Sequence, residues 1–277
     1  MRGSRIASLG RSTLGCSSLG IYGDSLSRAV GSLPPAPSKP TAESILAKMQ
    51  AEQPQLVDAL ALWYDSRLQG LTNEYIQEQA IEEGMFLLKN LQGDSSYDLP
   101  VTGMSGTEDD GCVDDEGRIV FDGVDDVAIS KKSFSLADAA GYSFYAGTNN
   151  LTEASYNILS FSNSNTIRLR TTGNPLRLRY QSLQQAETII IYNDIEQSDK
   201  VLEHLDFEAY YPSDYILVNG SKTDVERSGL NTSLGSPRIA YSSATARTPM
   251  TLRHYIMFVR DLNEQEQQWV RDNMINY

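Results

Sequence analysis

The most informative stretch of the sequence is Arg118-Ile119-Val120-Phe121-Asp122-Gly123-Val124-Asp125-Asp126-Val127-Ala128-Ile129. Ile119 and Phe121 alternate on one side of a strand, and the same alternation returns at Val127 and Ile129 after an acidic turn. Asp122-Gly123 favours a tight turn, because glycine tolerates a positive φ and aspartate bonds its own backbone. The stretch therefore predicts a β-hairpin of two short strands.

The same stretch resembles the opening hairpin of concanavalin-like and laminin-G-like jelly rolls, in which a phenylalanine precedes Asp-Gly and a further pair of aspartates. The end of the chain resembles that family too, since a strand at 254–259 is followed by Arg260, Leu262 and a short acidic helix. The likeness covers residues 60–277. It implies an all-β fold, a concanavalin-like (laminin-G-like) antiparallel jelly-roll β-sandwich, and a binding function whose ligand it does not name.

Short strands separated by turn residues fill the chain between these two ends. The predicted strands lie at 142–145, 156–161, 166–170, 176–180, 187–192, 207–211, 215–218, 238–241 and 252–259. Asn219-Gly220 predicts a type I′ hairpin turn. This spacing is typical of an antiparallel sandwich, whereas a parallel sheet would place helices between successive strands.

Helix signals flank the strand-rich part of the chain. Thr41 followed by Ser44 predicts a helix start, and Pro54 predicts its end. Asn263 followed by Glu266 predicts a short C-terminal helix. We therefore expect an extended or disordered anchoring arm over 1–40, a helical linker over 41–60 and the jelly-roll domain over 61–277.

Composition and charge exclude several classes of protein. No apolar run is long enough to cross a membrane, and the first residues lack the apolar core of a secretory signal. Two cysteines and two histidines are too few for a disulfide-stapled scaffold or a zinc site. The net charge of −13 combines +4 on residues 1–40 with −17 on the rest. An acidic body repels nucleic acid and anionic membranes, so we expect neither as a partner.

Residues 1–40 differ in composition from the rest of the chain. They contain nine serines and six glycines and end in a proline-rich spacer, so they cannot build a core. One interpretation is a disordered leader. The other is a peptide that folds onto a partner and anchors the protein there. Its anchoring residues would be Arg2, Arg5, Ile6, Leu9, Arg11, Leu14, Leu19 and Ile21.

A narrower resemblance concerns proteins of Bacteroidales prophages and crAss-like phages. It is carried by Leu62-Trp63-Tyr64-Asp65, Arg67-Leu68-Gln69-Gly70-Leu71-Thr72-Asn73-Glu74, Gly103-Met104-Ser105-Gly106 and Phe121-Asp122-Gly123-Val124-Asp125-Asp126. It implies a structural virion component on the phage particle surface, a fibre or decoration protein of head or tail. Such a protein would be a homo-oligomer that joins other virion proteins through its arm and displays a domain for host-surface glycan, mucin glycan or protein. The alternatives are a free glycan-binding module of a bacterium and a divergent, inactive glycoside hydrolase.

The segment His204-Leu205-Asp206-Phe207-Glu208 tests the hydrolase alternative. Jelly-roll glucanases carry Glu, Asp and Glu at alternate positions of one strand, where all three face the cleft. Asp206 and Glu208 fit that pattern, but His204 occupies the position of the nucleophilic carboxylate that retaining hydrolysis requires. We therefore expect a protein that is not an enzyme. Asp206 and Glu208, with Tyr210 and Tyr211, are the predicted ligand-binding residues.

Aromatic and acidic clusters supply the remaining candidate sites. Tyr210 and Tyr211, together with Tyr142, Tyr145 and Tyr156, would form a sugar-stacking surface, although packing is the more frequent role of tyrosine. Asp122, Asp125 and Asp126 would bind calcium, as related jelly rolls do near the sandwich rim. The same sequence pattern would also result if these aspartates only stabilised a turn. No other cofactor is expected.

Overall fold

The computed structural model of the protein describes residues 39–152, 157–162, 168–172, 177–181, 188–191, 201–225, 233–243 and 246–277. Lys39–Tyr277 form a single unit. The predicted anchoring residues of the arm (Arg2, Arg5, Ile6, Leu9, Arg11, Leu14, Leu19 and Ile21) lie outside the described residues, as do Cys16 and Tyr156. Cys112 is buried and forms no disulfide with any residue that the structure describes.

Strands are the most abundant secondary structure and are numbered along the chain. One large sheet, the first sheet, contains β1 (Leu60–Tyr64), β4 (Cys112–Val113), β5 (Ile119–Phe121), β8 (Tyr142–Thr152), β13 (Val201–Tyr211), β14 (Tyr215–Val218), β15 (Ser221–Asp224) and β20 (Met250–Phe258). The second sheet contains β2 (Phe86–Leu88), β3 (Leu99–Thr102), β6 (Val127–Ile129), β9 (Asn157–Phe161), β10 (Arg168–Thr172), β11 (Arg177–Gln181), β12 (Thr188–Ile191) and β17 (Pro237–Ile239). Two small ribbons pair β7 (Phe134–Ser135) with β16 (Ser233–Gly235) and β18 (Tyr241–Ser243) with β19 (Ala246–Arg247).

Pairing within both large sheets is antiparallel. The first sheet runs in the order β15-β14-β13-β8-β20-β5-β4, with β1 also paired to β20, and the second runs β12-β11-β10-β9-β17-β6-β3-β2. Asn219 and Gly220 join β14 to β15 with φ angles of 47° and 78°, as a type I′ turn requires. The prediction of an antiparallel, mostly β protein with short helices is therefore confirmed.

The hairpin predicted at 118–129 is wrong, because its two strands belong to different sheets. β5 pairs with β20 and β4 in the first sheet, whereas β6 pairs with β17 and β3 in the second. Phe121 and Ala128 both point into the core, one from each sheet. The alternation of apolar residues fits either arrangement, since a strand needs one buried face in both. The acidic segment 122–126 is a corner between the sheets.

The main core lies between the two sheets. Leu62, Phe144 and Phe207 contribute from the first sheet, and Leu88 and Leu159 contribute from the second. All five side chains are at most 2% exposed. Burial of a large apolar side chain contributes about 1.5–3 kcal/mol, so this interior is the principal source of stability.

Helices cover part of the outer face of the first sheet, the face that points away from the second sheet. The helices of this layer are α1 (Ala42–Glu52), α2 (Pro54–Ala59), α4 (Glu264–Val270) and a π-helical turn (Arg271–Ile275). The structure also contains α3 (Asn73–Glu83), whose Ile76 packs in the main core, and two 3₁₀ turns (Ser66–Leu68 and Ser95–Tyr97). Met49, Leu56 and Val270 of this layer pack in one cluster with Trp63 and Phe258 of the sheet. Residues 41–60, predicted to be a linker, thus pack against the sandwich.

The capping signals of the sequence are confirmed in the helices. Thr41 and Ser44 form a capping box at the start of α1, and Asn263 and Glu266 form one at the start of α4. Pro54 occupies the first turn of α2, where its missing N–H leaves no bond unmade. None of the helices in the described ranges is both long and apolar enough to span a membrane.

Candidate functional site

A cavity of about 420 Å³ opens on the outer face of the first sheet, beside the C-terminal helical turn. We call it the outer-face cavity. Its lining residues are Asp206, Phe207, Glu208, Leu217, Gly220, His254, Arg271, Ile275 and Asn276. Its volume lies within the range of about 300–1,000 Å³ that small-molecule sites occupy. Two of the predicted ligand-binding residues, Asp206 and Glu208, lie in its wall.

The two-residue period of β13 places these carboxylates outward. Leu205, Phe207 and Ala209 alternate with them and are buried in the main core. Asp206 and Glu208 therefore share the opposite face of the strand. This part of the site follows directly from the sequence.

Asp206 forms hydrogen bonds with Arg253, His204 and Asn219. Its Oδ1 accepts from Arg253 Nη2 at 2.5 Å, and its Oδ2 lies 2.7 Å from His204 Nε2. Its backbone N–H donates to the side chain of Asn219 at 2.7 Å. Burial alone would raise the pKa of Asp206, but Arg253 and His204 outweigh burial and hold the pKa below its usual value. Asp206 is therefore a charged acceptor.

Glu208 forms a bidentate pair with Arg271 of the C-terminal helical turn. Arg271 Nε and Nη2 donate to the two carboxylate oxygens at 2.8 and 2.6 Å, and the Tyr210 hydroxyl donates to the same carboxylate. The hydrogen bonds with Glu208 raise the pKa of Arg271 above its ordinary value. This pair fixes the helical turn against the sheet and forms one wall of the cavity.

His254 lines the cavity with an unsatisfied polar atom. The residue is 1% exposed, and its buried Nδ1 has no hydrogen-bond partner within the described part of the chain. Burial, reinforced by the positive charge of Arg253, lowers the pKa of His254 to about 3. The imidazole is therefore neutral at physiological pH, and its two nitrogens are one donor and one acceptor.

Two further polar atoms near His254 lack partners. Arg253 Nε and Asn149 Oδ1 are buried and make no hydrogen bond to any residue that the structure describes. Asn149 pairs with both His204 and Thr251 in the sheet register. The unsatisfied atoms thus lie on adjacent strands β8 and β20. Buried polar groups normally find partners, so this concentration points to a ligand or to ordered water.

The tyrosines predicted to stack on sugar are packed into the protein instead. Tyr210 and Tyr145 are 0% exposed and meet edge to face at 5.8 Å. Tyr142 is also buried and stacks on Tyr211 at 5.9 Å. Tyr210 points toward the helical layer, whereas Tyr211 packs against the main core, because neighbours in a strand face opposite sides. These tyrosines therefore form no common stacking surface.

The aspartates predicted to bind calcium separate into two roles. Asp122 and Asp125 lie with Asp110 so that one carboxylate oxygen of each is within 4.8 Å of the others. Asp126 is 0% exposed, and its Oδ2 accepts the Asp122 N–H at 2.8 Å, which stabilises the corner between the sheets. Calcium binding by Asp122, Asp125 and Asp126 stays a prediction, and the structure groups Asp110, rather than Asp126, with the other two carboxylates.

Sequence reasoning missed the basic and imidazole groups of the cavity. His254 gave one signal, since it directly precedes the apolar run Tyr255–Phe258 of the same strand. Arg271 gave none, because its contact with Glu208 joins residues 63 positions apart. The sequence also gave no signal that position 147 requires glycine, although a Cβ at Gly147 would lie only 2.3 Å from His254 Cε1.

Comparisons with known proteins show the fold of this chain. No protein-family model and no curated protein match it. A botulinum neurotoxin type C structure matches 82% of this chain with a TM-score of 0.52 and 13% identity. Trypanosoma rangeli sialidase matches 84% with a TM-score of 0.52 and 11% identity. The chain spans 53% and 39% of the length of these two proteins. At such identities the likeness establishes a jelly-roll-like β-sandwich.

Proposed function

We propose that this protein is a glycan-binding module with a concanavalin-like jelly roll, and that it binds an uncharged sugar in the outer-face cavity. One observation carries the proposal. His254, whose buried Nδ1 has no partner among the described residues, lines a cavity whose wall also contains Asp206 and Glu208. Sugar hydroxyls donate and accept hydrogen bonds, so a single pyranose can satisfy both kinds of group.

Hydrogen bonds between a sugar and these cavity groups would contribute appreciably to the free energy of binding. A buried polar atom without a partner costs about 1–3 kcal/mol, and a ligand hydroxyl that reaches His254 removes that cost. Asn219 fixes the hairpin turn at the cavity by accepting from Asp206 N and donating to the His204 carbonyl. The groups are therefore in place before the ligand arrives, which limits the entropic cost of binding.

Charge favours a neutral ligand over an acidic one. Asp206 and Glu208 each have a cationic partner, Arg253 and Arg271, so the cavity carries no uncompensated positive charge for an anion. Outside residues 1–40 the net charge is −17, which repels anionic glycans at long range. The imidazole of His254 adds no charge at neutral pH.

Binding without hydrolysis is part of the proposal. A glycosidase acid must hold its proton near neutral pH, but ion pairing holds the pKa of Asp206 below its usual value. Glu208 is engaged on both oxygens by Arg271, and His204 replaces the carboxylate that would act as nucleophile. These features support a protein that is not an enzyme.

The proteins with similar folds support glycan as the ligand class. The botulinum neurotoxin interacts with ganglioside molecules, and the sialidase forms a complex with sialic acid. Both ligands contain sugars, although they are acidic. The cavity of this chain favours a neutral sugar instead, because its carboxylates are already paired with Arg253 and Arg271.

A glycan array followed by calorimetry tests the proposal. We expect binding to neutral sugars and loss of that binding in Asp206→Ala, because this change removes an acceptor from the cavity wall. Asp138→Ala is the matched control, since Asp138 is exposed. No binding to any neutral glycan, or equal binding by the two variants, would contradict the proposal.

We further propose that the module is displayed on a phage particle, as a homo-oligomeric head or tail component. The support is the sequence resemblance to phage proteins together with the basic, serine- and glycine-rich residues 1–40. Deleting residues 1–33 should leave a folded domain that no longer joins the virion. Incorporation of the truncated protein at wild-type occupancy would show that these residues do not anchor it.

A further inference from the structure

A second recess of about 430 Å³ adjoins the outer-face cavity. Tyr215, Leu217 and Lys222 of the β14–β15 hairpin form one side, and Gln268 and Arg271 of the C-terminal helices lie on the other. Leu217 and Arg271 line both spaces. The cavity and the recess are therefore two compartments of one groove, which runs between the hairpin and the C-terminal helices.

The floor of the recess is held in place by its own contacts. The Tyr215 hydroxyl donates to Gln267 Oε1 at 2.8 Å, and the ring packs 4.7 Å from that of Tyr210. Lys222 Nζ lies 4.1 Å from the centre of the Tyr215 ring. The hydrogen bond between Tyr215 and Gln267 joins the hairpin to α4 and ties the two sides of the groove together.

Polar groups of the recess remain available for hydroxyl groups. Arg271 uses Nε and Nη2 on Glu208, and its Nη1 makes no hydrogen bond to a residue in the described ranges. Gln268 donates to Asp272, which leaves its carbonyl oxygen as an acceptor at the exposed side. Lys222 and Glu264 carry opposite charges, so this compartment, like the cavity, is charge-balanced.

We propose that the recess holds a second sugar unit, and that the ligand is a linear neutral oligosaccharide rather than a single terminal sugar. Leu217 lies at the junction, where the apolar face of a sugar ring can pack, and Arg271 Nη1 can donate to the chain as it passes. This inference rests on the proposed function of the cavity, to which it adds the length and linear course of the ligand.

Calorimetry with sugars of increasing length tests the inference. The probes are glucose, galactose, mannose and N-acetylglucosamine, each as the monosaccharide and as a linear trisaccharide. We expect the trisaccharide of the preferred sugar to bind about tenfold more tightly, which corresponds to one or two added hydrogen bonds. The double variant Lys222→Ala/Gln268→Ala should lose that gain and keep the affinity for the monosaccharide. Lys131→Ala, which changes an exposed lysine elsewhere, should behave as wild type.

The outcomes separate this inference from the proposed function. Equal affinities for monosaccharide and trisaccharide, with binding still abolished by Asp206→Ala, would overturn the second subsite and leave the cavity as a glycan site. An equal loss for both lengths in the double variant would also overturn it. Failure of every probe to bind would reject both proposals together. Both changed side chains are exposed, so we expect unchanged unfolding curves for the double variant.

Discussion

The imidazole of His254 lies against Gly147 so closely that no other residue fits at position 147. A Cβ at this position would be 2.3 Å from Cε1 and 2.6 Å from Nδ1 of the ring. The two residues are paired across β8 and β20, on the outer face of the first sheet. The absence of a side chain at 147 thus creates the space in which His254 lines the cavity.

Gly147→Ala should displace the His254 ring and weaken sugar binding. Overpacking of this kind costs about 1–3 kcal/mol, because the methyl group enters occupied space. Urea denaturation measures the loss of stability, and calorimetry measures the loss of affinity. In a His254→Ala background the same change should cost much less, since the clashing ring is gone. An equal cost in both backgrounds would show that the contact with His254 is not the cause.

Arg271→Met should destabilise the protein, because it leaves Glu208 charged and unpaired in a site where its side chain is 12% exposed. Removing one partner of a buried ion pair costs up to about 3–5 kcal/mol, and the partial exposure of Arg271 places this pair toward the lower end. The double variant Arg271→Met/Glu208→Leu should recover much of the stability. Chemical denaturation of the two single variants and the double variant gives the coupling free energy. A coupling near zero would contradict the prediction.

Asp126 should make the protein less stable as the pH rises. Burial raises the pKa of Asp126 to about 7, against the opposing hydrogen bond from Asp122 N–H and with the charge of Asp122 adding to the rise. The folded state therefore holds this proton more tightly than the unfolded chain does. The resulting stability is fully present below the ordinary pKa and is lost as the pH rises through about 7.

The variant Asp126→Asn tests this pH dependence. Its amide oxygen can still accept from Asp122 N–H, and it cannot ionise. Urea midpoints measured from about pH 4 to about pH 8 should fall for the wild type relative to this variant. Asp138→Asn, at an exposed position, serves as the control. Parallel curves for wild type and Asp126→Asn would show that Asp126 does not titrate in this range.

Asn219→Gly should weaken binding in the cavity while preserving the turn. Glycine keeps the positive φ of this position, so the variant removes only the side-chain hydrogen bonds to Asp206 N and the His204 carbonyl. We expect a loss of stability of about 1–2 kcal/mol and a lower affinity for sugar. Asn219→Ala should cost more, because it adds backbone strain. Indistinguishable stabilities for the two variants would argue against this account.

Strand content, helix caps and the exposed face of β13 could all be predicted from the amino-acid sequence. These features depend on residues close together in the chain: Thr41 with Ser44, Asn263 with Glu266, and Asn219 with Gly220. Likewise, Asp206 and Glu208 share a face because alternation within one strand is a local property. Local geometry leaves little freedom at such positions, so sequence patterns predict them.

The partners of these local elements depend on tertiary packing. The alternation of apolar residues at 119–129 fits a hairpin and a corner equally well. β5 belongs to the first sheet because it pairs with β20, and β6 belongs to the second because it pairs with β17. The same holds for the cavity, where Arg271 reaches Glu208 from the C-terminal turn and Gly147 makes room for His254. These contacts join residues far apart in sequence, and their free energy depends on packing and burial. No short pattern encodes such contacts.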